Sequence, residues 1–119
     1  MQPGQRRYPR FDFGGAGEVR VPLGQKPGYS RIPVQVNTLS YEGAGVAVLD
    51  EKQLTPGTVV ELAFEIDGAE VGMLARVVWA AGGRAGMQIH VKTLGAEQKR
   101  VFSNWIVPRT REALKKTQN

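Results

Sequence analysis

Polar and apolar positions alternate with a period of two through much of residues 18–92, and after Gly95 the period lengthens to that of a helix. The alternation is clearest over Thr58–Ile66, where Val60, Leu62, Phe64 and Ile66 point one way and Glu61 and Glu65 the other. Such a segment is a half-buried strand. Further strands are predicted over Glu18–Leu23, Ile32–Thr38, Gly45–Leu49, Glu70–Ala80 and Arg84–Lys92. In the last of these Met87, Ile89 and Val91 share a face, which leaves Gln88, His90 and Lys92 toward water and makes His90 a solvated strand residue rather than a ligand or base. Thr55-Pro56-Gly57, Asp67-Gly68 and Gly82-Gly83 supply the turns. Val101, Phe102, Trp105 and Ile106 then form an apolar stripe that predicts a helix over Ala96–Val107, with Trp105 in the core, Glu97 at the positive end and Pro108 as the stop, a loose basic helical turn over Arg109–Lys116 being left open beyond it. Short strands followed by one helix define a mainly β fold, a small antiparallel barrel capped by that helix.

Two stretches stand outside this pattern. Residues 1–17 are short of apolar positions and contain Pro3, Gly4, Pro9 and the Gly14-Gly15-Ala16-Gly17 run, which predicts a flexible arm. Asn37–Val46, N-T-L-S-Y-E-G-A-G-V, is a polar turn between two apolar runs. Its glycines allow a ligand close to the backbone, and Asn37, Thr38 and Ser40 place donors and acceptors beside them. The same residue types are also what an ordinary hairpin turn selects. The organisation expected is therefore an arm over 1–17, a barrel with its helix over 18–107, and a basic tail over 108–119.

Composition narrows the chemistry. The 119 residues contain no cysteine and one histidine, which removes disulfides, thiolate metal sites and cysteine nucleophiles and leaves almost nothing for a zinc site or a histidine triad. No acid/base pair has a persuasive spacing, Asp50-Glu51 being a solvated turn, so no enzymatic activity and no catalytic, metal or cofactor group is expected. No apolar run approaches the roughly 20 residues that span a bilayer, and the expected compartment is the cytoplasm. The net charge of +5 is uneven: residues 1–10 carry +3 through Arg6, Arg7 and Arg10, and 109–116 carry +3 through Arg109, Arg111, Lys115 and Lys116 against Glu112. The charge suggests an anionic partner, but a nearly neutral body with two basic ends is less like a nucleic-acid groove than like a globule with a basic arm at each terminus.

Arg6-Arg7-Tyr8-Pro9-Arg10 carries R-x-x-x-R ahead of the barrel, and T-L-S-Y-E-G-A-G-V comes after the second strand. In this order the two stretches resemble the hallmarks of the PilZ domain family, R-x-x-x-R and [D/N]-x-S-x-x-G, and the P-G-T turn, the V-V-W strand ending, the G-M-Q-I strand and the closing helix extend the resemblance over nearly the whole chain. The resemblance implies a six-stranded barrel that binds the bacterial second messenger cyclic di-GMP, with a downstream protein partner in motility or biofilm control and a monomeric or weakly dimeric state. It implies that Arg6 and Arg10 clamp the ligand with help from Arg7 or Gln5, that Ser40 offers its hydroxyl, that Gly43 meets a guanine, and that Trp79 stacks on the ligand. An arginine suits this because its planar fork pairs with phosphate or with the guanine O6/N7 edge and can stack on a base.

One position departs from the pattern: Thr38 stands where the family has Asp or Asn. A threonine hydroxyl makes one of the two bonds a carboxylate or amide makes, a loss of about 1–3 kcal/mol if the guanine edge is buried. Asn37 precedes it and lies on the opposite face of a regular strand, so it reaches the ligand only through a bulge. Trp79 shares parity with Val71, Met73, Ala75 and Val77, which leaves a core and a ligand-facing placement both open unless Gly72 marks a bulge. Two other functions remain: a PilZ-like adaptor that docks a protein partner without nucleotide, and a small basic barrel for single-stranded nucleic acid, for which Tyr8, Phe11, Phe13, Tyr29 and Tyr41 are scattered platforms.

Overall fold

Turn chemistry sets the topology. Asp67 and Gly68 have φ of 51° and 82°, and Gly82 and Gly83 have φ of 60° and 75°. Paired positive φ values give the two-residue turn whose twist matches that of a hairpin. They join β4 (Val59–Ile66) to β5 (Ala69–Ala81) and β5 to β6 (Arg84–His90) in the computed structural model, which describes residues 8–117. With β1 (Phe11–Pro22), β2 (Tyr29–Leu39) and β3 (Gly43–Val48) these strands close into a six-stranded antiparallel barrel in the order β1-β2-β3-β6-β5-β4.

The alternation predicted from the sequence is what fills the barrel. Val60, Leu62, Phe64 and Ile66 of β4 are buried together with Val71, Met73, Ala75 and Val77 of β5 and Met87 and Ile89 of β6. The helix α1 (Ala96–Thr117) closes one side of this core with Phe102, Trp105 and Ile106. Gln98 fastens the helix to the sheet by accepting the Gly72 N–H at 2.9 Å.

Three boundaries differ from expectation. The expected arm over 1–17 becomes strand at Phe11: Gly15 pairs with Val36, Ala16 with Gln35 and Gly17 with Val34. Gly17 serves close approach, since a Cβ there would lie 2.6 Å from the Ala63 carbonyl of β4. Phe13 anchors the segment edge-on against Phe64 and Trp105, at 5.5 and 5.3 Å between ring centroids. Arg6, Arg7 and Gln5 lie outside the described residues. At the other end Pro108 does not stop the helix, and the expected tail over 108–119 is helical as far as Thr117. A proline removes one helical bond and crowds the preceding turn. Here two side-chain bonds brace that turn: Arg109 donates to the Trp105 carbonyl at 2.7 Å with its guanidinium 4.1 Å over the indole, and Thr110 donates to the Ile106 carbonyl at 2.8 Å. Finally, β6 ends at His90, and Val91–Thr93 form a single 3₁₀ turn.

Candidate functional site

The motif turn is built from its own serine. The Ser40 N–H donates to the Gly43 carbonyl at 2.8 Å, and the Glu42 N–H donates to the Ser40 hydroxyl oxygen at 3.3 Å. Ser40 is 3% exposed, so this hydroxyl shapes the turn from beneath. Gly43 then pairs with Gln88 at the start of β3, and a Cβ there would press at 3.4 Å on both the Met87 carbonyl and the Ser40 hydroxyl. Tyr41 on the same turn is sandwiched between Tyr8, 5.2 Å away, and Phe102 of the helix, 6.3 Å away. Those two contacts tie the segment before β1, the motif turn and α1 into one aromatic row.

Two bulges decide which side chains reach the outer surface. In the β2–β3 ladder Val36 pairs with Val46 and Thr38 with Gly45, so Asn37 is the extra residue. A bulge turns consecutive side chains to one face. Asn37 is exposed and Thr38 half-buried, both outside the barrel, while Val36 and Leu39 stay in the core. In the β5–β6 ladder Val77 pairs with Met87 and Trp79 with Gly86, which makes Val78 the extra residue. The bulge therefore sits at Val78 rather than at Gly72, and it reverses the parity of the strand beyond it: Val77 is buried, while Trp79 is 43% exposed. The indole lies down across Gly86, where a Cβ would be 2.2 Å from Trp79 Nε1. Glycine is required at that position for the ring to lie flat.

These features meet in an open cleft with two lobes. The larger, about 280 Å³, is lined by Tyr8, Arg10, Ser40, Glu42, Gly43, Val78, Trp79, Gly86, Met87 and Gln88. The smaller, about 130 Å³, is lined by Arg10, Asn37, Thr38, Gly45, Val46, Trp79, Arg84 and Ala85. Arg10 and Trp79 border both. Six of the eight residues expected at a ligand site are thus brought together, Arg10, Asn37, Thr38, Ser40, Gly43 and Trp79, and the other two, Arg6 and Arg7, lie outside the described residues. The sequence did not mark Glu42, Val78, Arg84 or Gly86. Gly86 had a signal, a glycine placed to face an aromatic across a hairpin, but the register needed to see it depends on the Val78 bulge.

A larger open groove of about 580 Å³ lies between β1 and the β4–β5 hairpin, away from both motifs. Its charge suits a phosphodiester poorly: Glu18, Glu65 and Glu70 line it with the single cation Arg20. Arg20 is committed there, donating to Glu18 at 2.5 Å, to Glu61, and to Glu70 at 3.4 Å. The hydrogen bond from Arg20 holds the Glu18 carboxyl below its ordinary 4.5, with the charges of Arg20 and Arg31 acting in the same direction. A carboxylate with a lowered pKa in the folded state stabilises the fold above pH 4.5, and that contribution is lost as pH falls through the folded value. Glu18→Gln is accordingly expected to lower the urea midpoint at pH 7, with the gap from wild type narrowing below pH 4.5. A gap independent of pH would show that Glu18 acts through packing alone.

Among the described residues no group of His, Cys, Asp and Glu is placed to hold a metal ion, and no helix is long and apolar enough to cross a membrane. The architecture is a closed six-stranded barrel, capped by a C-terminal helix, with a cationic and aromatic cleft on its outer face. A family description, PilZ domain, matches residues 4–106. The chain belongs to the PilZ domain family. Among solved structures it is similar to the crystal structure of the PilZ domain of CeSA from a cellulose synthesizing bacterium, with a TM-score of 0.61 and 23% identity over 79% of this chain and 91% of that one. At that identity the likeness concerns the fold. No curated relative matches the chain.

Proposed function

We propose that this domain is a cytoplasmic receptor for cyclic di-GMP, binding rather than transforming it, and that ligand binding orders the segment around R-x-x-x-R and changes the surface offered to a protein partner. The observation that carries the proposal is the meeting of Arg10, Asn37 and Trp79 on one cleft, which depends on two independent bulges. The chemistry fits a ligand with two phosphodiesters and two guanines. Arg10 supplies charge and a fork to phosphate, Trp79 supplies a flat stacking surface, and the Asn37 amide accepts from the guanine N1–H and N2 amine. Asn37 thus takes the part for which Thr38 is poorly equipped. Thr38 is turned toward β3, its Oγ1 occupying the space over Gly45 that a Cβ there would need. Ser40 contributes by holding the turn.

Titration calorimetry of cyclic di-GMP into the wild type tests this, with Asn37→Ala and Thr38→Asp alongside. The expected result is saturable binding that Asn37→Ala weakens roughly tenfold, the loss of one guanine-edge contact, and that Thr38→Asp changes little. A strong gain in Thr38→Asp with no loss in Asn37→Ala would move the guanine to Thr38. Absence of saturable heat in the wild type would sink the receptor proposal and favour the second reading, an adaptor that docks a partner without nucleotide. That reading is favoured by the Thr38 departure and by the inward-turned Ser40.

A further inference from the structure

Arg84 belongs to no motif of the sequence, yet it lines the smaller lobe with Asn37 and Thr38. It is the first residue of β6, directly after the Gly82-Gly83 turn, and pairs with Ala47 of β3 and Ala81 of β5. Its backbone is therefore fixed on both sides, while its side chain is exposed. Among the described residues the Arg84 guanidinium takes part in no salt bridge and no hydrogen bond. No acidic residue lines this lobe.

The lobe thus offers two kinds of group. Asn37 carries an amide whose oxygen can accept, and Arg84 presents a fork that only donates. Guanine has the matching arrangement, with N1–H and N2 amine donors on one edge and O6 and N7 acceptors on the next. Adenine does not, because its N6 amine would face the arginine donors in place of O6. We propose that Arg84 is a specificity-determining ligand contact, donating to the O6/N7 edge of the guanine whose N1/N2 side Asn37 reads. This deepens the receptor proposal and rests on it. It would also supply base discrimination at a site that has threonine at position 38.

The test compares cyclic di-GMP with cyclic di-AMP by calorimetry on the wild type, Arg84→Ala and Arg84→Lys. Loss of a bidentate guanine contact predicts roughly tenfold weaker cyclic di-GMP binding in Arg84→Ala, with a narrowed preference over cyclic di-AMP. Arg84→Lys keeps the charge without the planar fork and is expected to behave like the alanine variant. Unchanged cyclic di-GMP affinity in Arg84→Ala would overturn the assignment. So would a loss equal for the two dinucleotides and restored by lysine, which is the signature of a phosphate contact. Failure of the wild type to bind cyclic di-GMP would remove the receptor proposal and this assignment together, whereas wild-type binding indifferent to Arg84 would remove this assignment alone.

Discussion

Arg10→Ala is expected to weaken cyclic di-GMP binding by about 100-fold or more while leaving the barrel folded. The size is set by position: Arg10 borders both lobes of the cleft, so one guanidinium serves whatever occupies each. A hydrogen bond to a charged group contributes about 1.5–3 kcal/mol, and two such bonds to phosphate exceed the tenfold expected for a single base-edge contact. The barrel should survive because Arg10 is exposed and precedes the first residue of β1. Calorimetry checks the affinity and far-ultraviolet circular dichroism the fold. Arg100→Ala is the matched control, a cation of the helix paired to Glu97 at the surface and no part of the cleft lining. Its removal should leave binding unchanged, since an exposed pair contributes about 0–1 kcal/mol and the net charge falls equally in both variants. Wild-type affinity in Arg10→Ala would sink the placement of the ligand in this cleft. Equal losses in the two variants would show that only overall charge matters.

How legible this site was in the sequence depends on what kind of information fixed each residue. Where the backbone is regular, side-chain parity carries over directly, and the buried faces of β4 and β6 can be read from Val60–Ile66 and Met87–Ile89. Parity fails at an inserted residue. Trp79 continues the buried set Val71, Met73, Ala75 and Val77 by counting, and only the extra residue Val78 turns it outward. Asn37 likewise counts as facing away from Thr38 until its bulge puts both on the outer surface. A bulge is set by the register against the neighbouring hairpin strand, which counting side-chain parity along a single strand does not show. The Gly14–Gly17 run misled because glycine permits both mobility and close packing, and at Gly17 it is Ala63 of β4, far along the chain, that decides between them. Pro108 stands as a helix stop by local sterics, and Arg109 and Thr110 brace the turn that continues past it. The residues of the cleft were visible in the sequence, and the strand register that aims Asn37 and Trp79 outward was not.

Phe102→Ala should be the most destabilising single change in the helix, and the same position offers a test of the proposed relay. Phe102 is among the largest fully buried side chains, and its ring meets the Tyr41 ring edge-on at 6.3 Å. Truncating a buried phenylalanine costs about 3–5 kcal/mol, a large share of the roughly 5–15 kcal/mol that holds a domain together. A fall in Tm of roughly 10–20 °C is expected by calorimetric scanning. Phe102→Leu separates the two roles, because leucine fills much of the volume but has no ring edge to offer Tyr41. In that variant the barrel should stay folded with a smaller loss of Tm. If the row Tyr8, Tyr41, Phe102 transmits order from the cleft to the helix, cyclic di-GMP should still bind, while hydrogen exchange in α1 should slow less on binding than it does in the wild type. Equal protection of α1 in wild type and Phe102→Leu would show that the helix does not sense the ligand through this row.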